Sequence, residues 1–382
     1  MIYLDNATTT GPKPQEVYQA VSTCLQRIGG NPGRGMHEGA HLATNIIEQA
    51  RVELAGLFNA PSSSHIIFTL NATDAMNTAL QGLLVPGQHV VTTCMEHNAV
   101  SRPLRYLESI GVKVTLIPCD RCGRLNIDKM KKVISEGVDA VVMIHASNIT
   151  GTIMPVYEIG QYAAKYNTKF IVDASQTAGV EDIDVVKMAV TALIFSGHKG
   201  LLGPQGTGGL YLKEGITIRP LRFGGTGTLS ESDQQPEEMP ERLESGSPNT
   251  PGIAGLLAGV RFIREIGIEN IRHKEKEFTT RLLNGLSNIK GVTIYGPQNL
   301  VEHTAVVSFT INNVTIKNIN NALAQEFDIA CRSGLHCAPW AHQTIGTIHT
   351  GTIRFSPGYF NTTEDIDQAL DAVRKVAQRA RQ

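Results

Sequence analysis

The chain has no apolar run long enough to cross a bilayer, no excess of charge of either sign, and no cysteine pattern of the kind that staples small secreted domains. The first absence excludes a membrane span. A formal net charge of −1 over 382 residues removes the electrostatic footprint of a DNA- or RNA-binding protein. With 41% hydrophobic and 18% charged residues the composition is also not that of a disordered tail. The expected partners are therefore small molecules, with no nucleic acid and no membrane. The opening MIYLDNATTT lacks the basic start and apolar core of a signal peptide, so a cytoplasmic protein is expected. In that reducing setting the six cysteines, Cys24, Cys94, Cys119, Cys122, Cys331 and Cys337, are expected as thiols. Internal repeats and low-complexity segments are also missing.

What is there is an alternation. Short β-rich apolar runs at 65–68, 89–93, 113–117, 140–145, 169–173, 192–196 and 209–212 are separated by helical patterns near 72–84, 98–110, 126–136 and 155–167. Continuous rather than alternating apolarity suits strands buried on both faces, and the βα succession predicts an α/β fold with a mostly parallel, helix-flanked seven-stranded sheet. Residues 214–249 are rich in Gly, Pro and Glu and read as long surface loops. A long helix pair over 252–290, strands near 292–295, 305–310 and 352–356, and helices near 315–326 and 363–380 predict a smaller α+β domain. The expected division is a large domain over 1–255, whose N-terminal segment packs on the small domain, and a small domain over 256–382.

In such sheets ligands collect at the carboxyl ends of strands, which is where the polar motifs fall. FSGHKGLLGPQGTGGLYL (195–212) ends a buried strand in Ser-Gly-His-Lys and continues into a glycine-rich loop. Lys199 alone reads more readily as a solvated surface lysine, yet an amine at a strand end with hydroxyl and imidazole donors beside it is what a Schiff-base cofactor requires. KFIVDASQTAG (169–179) puts Asp173 at another strand end, where it is either a helix cap or the partner that keeps a pyridinium nitrogen protonated. Gln176 is a turn residue or a donor to a phenolic oxygen. TLNATDAMNTAL (69–80) offers the amides of Ala72 and Thr73 and the Thr73 hydroxyl as a phosphate site at a helix N-terminus, or simply a cap. His97, after the strand at 89–93, is a structural histidine or a ring that stacks on a flat cofactor.

Taken together, EHNA (96–99), SNITGT (147–152), VDASQ (172–176), SGHKGLLGPQGTG (196–208), LESGSPNT (243–250) and CRSGLHCAP (331–339) resemble the cysteine desulfurase and selenocysteine lyase branch of the class V aminotransferases. These are pyridoxal 5'-phosphate enzymes of fold type I. The likeness runs from LDNATTT (4–10) to RFSPGYFNT (354–362). It implies that Lys199 carries the cofactor, Asp173 meets its ring nitrogen, Gln176 its phenolic oxygen and His97 its face. Ala72, Thr73, Ser196 and His198 would hold the phosphate, with Ser247 contributed by the neighbouring subunit of a homodimer with shared active sites. Ser247 stands where the family has threonine, so the hydroxyl is kept. Asn148 and Arg354 would bind the substrate carboxylate, Arg354 by a bidentate pair, with Arg332 beside them. His37, in RGMHEGAHLA (34–43), resembles a residue of the active-site entrance.

Cys337 separates this branch from other aminotransferase-like proteins, because only sulfur or selenium transfer needs a nucleophilic thiol there; Cys24 and Cys94 are expected to be inert. The resemblance implies that Cys337 attacks the sulfur of L-cysteine, or the selenium of L-selenocysteine, and leaves L-alanine. His336 and Arg332 are expected to favour its thiolate. About seventeen residues lie between Cys337 and Arg354, as in the SufS-like short-loop subgroup, and a short loop predicts delivery to a docked acceptor protein. The loop departs from the pattern in carrying Trp340, His342 and His349, whose irregular spacing predicts substrate tuning and no metal site. A transaminase or β-eliminating lyase, which has no use for Cys337, is one alternative. A nucleotide-binding module is another, although GPQGTGG lacks the G-x-G-x-x-G spacing.

Overall fold

The computed structural model describes residues 1–33 and 35–380. The chain begins with β1 (Ile2–Tyr3), α1 (Gln15–Arg27) and α2 (Glu38–Leu57). It continues through β2 (Ile66–Thr69), α3 (Ala72–Leu83), β3 (His89–Thr93), α4 (Asn98–Ser109), β4 (Lys113–Ile117) and α5 (Ile127–Ser135). Next come β5 (Ala140–Ile144), α6 (Val156–Lys165), β6 (Lys169–Asp173), β7 (Ala192–Ser196) and β8 (Gly208–Leu212). The remainder is α7 (Thr250–Ile266), α8 (Ile268–Ser287), β9 (Val292–Tyr295), β10 (Val307–Ile311), α9 (Ile316–Phe327), β11 (Ile329–Ala330), β12 (Arg332–Gly334), α10 (Pro339–Ile345), β13 (Thr352–Phe355) and α11 (Thr363–Arg379).

Seven strands form the central sheet in the order β2-β8-β7-β6-β5-β3-β4, and β8 alone runs antiparallel to its neighbours. The expected α/β sheet of fold type I is therefore present. Every residue of β5 and β7 is buried because both faces are covered. Alternate residues of β5 divide between two hydrophobic clusters, Val141 and Met143 in one, Ala140 and Val142 in the other, as a pleated strand between two helical layers must. From β8 to α7 the chain runs without helix or strand, in keeping with its composition.

A second sheet, β12-β13-β10-β9, is antiparallel, and β1 pairs in parallel with β11. A separate hydrophobic cluster joins Leu4 to residues between Phe278 and Ala377. The first strand of the chain is thus tied to the last third of it: Ile2 faces Ile329, and Ser356 donates its amide to the Leu4 carbonyl at 2.8 Å. No described helix is long and apolar enough to cross a membrane.

Three elements depart from expectation. Helices α1 and α2 precede the first expected strand and pack on α7. The buried face of α2 is Ala40, Ala43, Ile47, Ala50 and Leu54, helical spacing written largely in alanine, which gives little apolar contrast. Helix α10 occupies part of the segment read as an active-site loop; Pro339 starts it, and Gly346, at φ 80°, ends it. The helix pair expected over 252–290 is present as α7 and α8, separated at Gly267, whose φ is 85°.

Candidate active site

The carboxyl ends of β3, β5, β6 and β7 converge on one cleft. Its walls include Ala72, Thr73, His97, Asn148, Asp173, Gln176, Ser196, His198, Lys199, Arg332 and Arg354, so motifs scattered over 280 positions of sequence are brought together. Two of the expected site residues stand elsewhere. Ser247 accepts from Asn31 Nδ2 at 3.0 Å beside a different cavity, and His37 caps α2, its Nδ1 taking the Ala40 amide at 3.4 Å.

Lys199 follows β7 in a turn closed by Leu202 N on the Lys199 carbonyl (2.8 Å) and Gly203 N on the Gly197 carbonyl (2.7 Å). Gly197 is required there, since a Cβ would lie 2.1 Å from Thr207 Oγ1. Burial lowers the Lys199 amine to about 8, with Arg354 and Arg332 adding to the effect and Asp173 opposing it. Asp173 is buried and commits Oδ1 to Ser175, accepting from its amide at 2.9 Å and its hydroxyl at 2.5 Å. Oδ2 has no protein partner among the described residues and belongs to the cleft wall.

At the opposite wall, His97 is the N-cap of α4 and accepts the Ala99 amide on Nδ1 at 3.0 Å. Burial, then the neighbouring Lys199, pushes it down to about 4, so the ring is neutral, with its proton on Nε2. His198 is likewise lowered to about 4, by burial and then by Lys199 and Lys13; its Nδ1 is buried without a protein partner. Asn71 caps α3 by accepting the Asp74 amide at 3.0 Å, and the first-turn amides of Ala72 and Thr73 lie outside the helix's own hydrogen bonding.

Cys337 is exposed at the mouth of the cleft. It and His336 both hold left-handed backbone conformations, φ 57° and 48°, a strained arrangement for two consecutive non-glycine residues. Two bonds hold that turn: Asn148 Nδ2 donates to the His336 carbonyl at 2.9 Å, and the Asn98 amide to the Cys337 carbonyl at 2.7 Å. Arg332 Nη2 lies 3.8 Å from Cys337 Sγ. His336 does not share the role expected of it. It is buried, stacks on His342 with centroids 5.8 Å apart, and is lowered to about 2 by burial and the nearby Arg354, so it carries no charge with which to favour a thiolate. Cys94 is half-buried, and its Sγ donates to the Ile117 carbonyl at 2.9 Å.

Three side chains are engaged differently from what their sequence context suggests. Gln176 Nε2 donates to the Ala7 carbonyl at 3.0 Å. Asn148 uses its amide group on the turn and leaves Oδ1 buried without a partner. Arg354 already holds a carboxylate: Nη2 donates to Asp5 Oδ1 at 2.8 Å and to Thr8 Oγ1 at 2.7 Å, Nη1 to the Asn148 carbonyl at 3.1 Å, while Nε is buried and unpartnered. Asp5 and Thr8 belong to LDNATTT, where the family likeness begins, but the sequence suggested no role for either residue.

Chains similar to this one support the same reading. A probable cysteine desulfurase of Methanothermobacter thermautotrophicus is 34% identical over 383 residues, covering 98% of this chain and 94% of its own. Another, from Halalkalibacterium halodurans, is 34% identical over 384 residues, covering 98% and 93%. The apo structure of a cysteine desulfurase from Thermococcus onnurineus superposes with a TM-score of 0.94 at 33% identity, covering 99% of this chain and 95% of that one. Residues 2–369 match the Aminotransferase class-V family model, and the chain accordingly belongs to the class V aminotransferases, which are pyridoxal-phosphate enzymes.

Proposed function

We propose that the protein is a cysteine desulfurase that converts L-cysteine to L-alanine and retains the sulfur on Cys337. The observation that carries this reading is the pinned left-handed turn presenting an exposed thiol 3.8 Å from Arg332, at the mouth of the cleft that holds Lys199. An aminotransferase or β-eliminating lyase has no use for that thiol.

The cleft residues fit pyridoxal phosphate. A carboxylate oxygen of Asp173 faces the cleft without a protein partner, as a protonated ring nitrogen requires. His198 Nδ1 is an orphaned polar atom beside the α3 N-terminus, where Ala72, Thr73 and Ser196 supply further donors to a phosphate. The neutral imidazole of His97 supplies a flat face, and Gln176 stands at the rim. When bound, the cofactor supplies an electron sink for the pair released from the substrate Cα–H bond.

Lys199 takes the Cα proton on Nζ, a task suited to an amine lowered to about 8. Arg354, Arg332 and Asn148 hold the substrate carboxylate and so aim the side chain at Cys337. The Cys337 sulfur then attacks the substrate sulfur: an S–S bond forms, the substrate C–S bond breaks, and its electron pair stays on the substrate carbon. That carbon takes a proton, Lys199 returns its proton to Cα, and alanine departs, leaving a persulfide on Cys337. Cysteine and one enzyme thiol become alanine and one enzyme persulfide, with no external oxidant. Ser247 and His37 lie away from their own chain's cleft, as residues contributed across a subunit boundary would, which supports a homodimer with shared sites. An exposed persulfide on a pinned turn suits transfer to an acceptor protein that docks.

In Cys337→Ala the cofactor absorbance should be retained and persulfide formation abolished. Alanine production from cysteine at the unaltered protein's rate would overturn the assignment.

A further inference from the structure

We propose that Asp5 sets the charge selectivity of the cleft: by neutralising one of its two arginines it leaves that end with a single surplus positive charge, matched to an amino acid with one carboxylate and opposed to one with a second. The inference rests on the docking of a substrate carboxylate at Arg354 and deepens it.

Arg332 and Arg354 share one acceptor. Thr8 Oγ1 takes Arg332 Nη1 at 2.9 Å and Arg354 Nη2 at 2.7 Å, and spends its own proton on Asp5 Oδ1 at 2.7 Å. A hydroxyl has one proton and two lone pairs, so Thr8 is saturated. Two guanidinium groups on one oxygen repel each other, and Asp5, 2.8 Å from Arg354, is the carboxylate that offsets them. Arg354 is only 1% exposed, so its charge is poorly screened by solvent and the counter-charge matters. Lys199 and Asp173, which also stand within electrostatic reach of this end, carry opposite charges, and the neighbouring rings add none. Burial keeps His97 and His336 neutral, and burial together with Asp5 holds Tyr3 in its phenol form.

The donor count agrees. Both protons of Arg354 Nη2 are spent on Asp5 and Thr8, one on Nη1 goes to the Asn148 carbonyl, and Nε remains buried without a partner. Among the described residues this leaves the second Nη1 proton of Arg354 uncommitted, one donor for a further carboxylate beside Arg332. Asp5 does not line the cleft and acts through Arg354, so it is a positioning and specificity residue; Thr8, which does line the cleft, spaces the two arginines.

The test measures binding of propionate and of succinate to cofactor-loaded protein carrying Cys337→Ala, by calorimetry and by the change in cofactor absorbance. Removing Cys337 takes out the thiol beside Arg332, and no sulfur transfer enters the readout. Asp5→Asn should shift the succinate-to-propionate affinity ratio toward succinate by about tenfold, and Asp5→Glu should restore the original ratio. Thr8→Val keeps the Asp5 charge and should weaken both ligands by a similar factor with the ratio unchanged. An unmoved ratio in Asp5→Asn, an equal shift in Asp5→Glu, or a changed ratio in Thr8→Val would each overturn the proposal. If Asp5→Asn does not fold, Asp5→Ser, which also removes the charge, is read by the same ratio with the same expected shift. A normal shift, with no alanine made from cysteine by the cofactor-loaded protein that retains Cys337, would instead sink the desulfurase reading and leave this one standing.

Discussion

The amide of Asn98 donates to the carbonyl of Cys337 at 2.7 Å. Asn98 is the first residue of α4, so this donor has no partner within its own helix, and the strained turn takes up a bond the helix leaves over. His97, the cap of the same helix, lines the cleft. One helix terminus therefore sets the distance between the proposed ring-stacking wall and the proposed nucleophile.

The imidazole pair below that turn should control sulfur transfer more than proton removal. His342 is fully buried, bonds Thr347 Oγ1 through Nδ1 at 2.7 Å, and stacks on His336, whose Nε2 lies 3.3 Å from the Arg332 carbonyl. His342→Ala removes both supports and should cost about 2–4 kcal/mol in urea denaturation. Persulfide formation should slow roughly tenfold, whereas exchange of the substrate Cα proton in heavy water, which needs Lys199 and not Cys337, should change less than about twofold. Equal loss of both rates would show that the pair serves only the general fold.

Cofactor capture by the empty protein should report the lowered amine. Only neutral Lys199 is a nucleophile, and its protonation falls away around pH 8 rather than near 10.5. The capture rate, followed by absorbance in stopped flow, should rise about tenfold per pH unit below that point and level off above it. Conversely, a rate still climbing at pH 10 would mean that burial does not depress this lysine.

Glu96 should make stability fall as pH rises. Its side chain is buried, Oε1 accepts from Thr93 Oγ1 at 2.6 Å and from the Ile144 amide at 3.1 Å, and Oε2 has no partner. Burial raises it from 4.5 to about 8 against those hydrogen bonds, with Asp173 adding to the rise. A folded-state pKa above the unfolded one means that its contribution is complete below about pH 4.5 and is lost as pH climbs to about 8. Glu96→Gln keeps the Oε1 bonds and cannot ionise. It should match the unaltered protein at pH 4.5 and exceed it by more than about 1 kcal/mol at pH 8.5. A difference independent of pH would contradict the buried neutral acid.

The strands of the large sheet were readable because they are buried on both faces and so written as unbroken β-branched and aliphatic runs, and β7 ends where the run ALIFS meets Gly-His-Lys. The same clarity placed Asp173, Lys199 and His97 at strand ends and hence on one side of the sheet. Helices α1 and α2 were not readable, since α1 buries only Val17 and Cys24 and α2 packs largely through alanine. Helix α10, seven residues long, is too short to show a period.

Local composition and order by themselves determined the doubly covered sheet and the lysine and carboxylate at its strand ends, because burial on two faces and strand termination are written in consecutive residues; Cys337 was singled out by the family resemblance. Only the tertiary structure decided that Asp5 and Thr8 reach across some 350 positions to Arg354, that His336 is a buried neutral ring, and that Asn98 and Asn148 hold the Cys337 turn. Those relationships depend on which donors are left unsatisfied once the elements have packed, and an unsatisfied donor leaves no mark in the order of the residues.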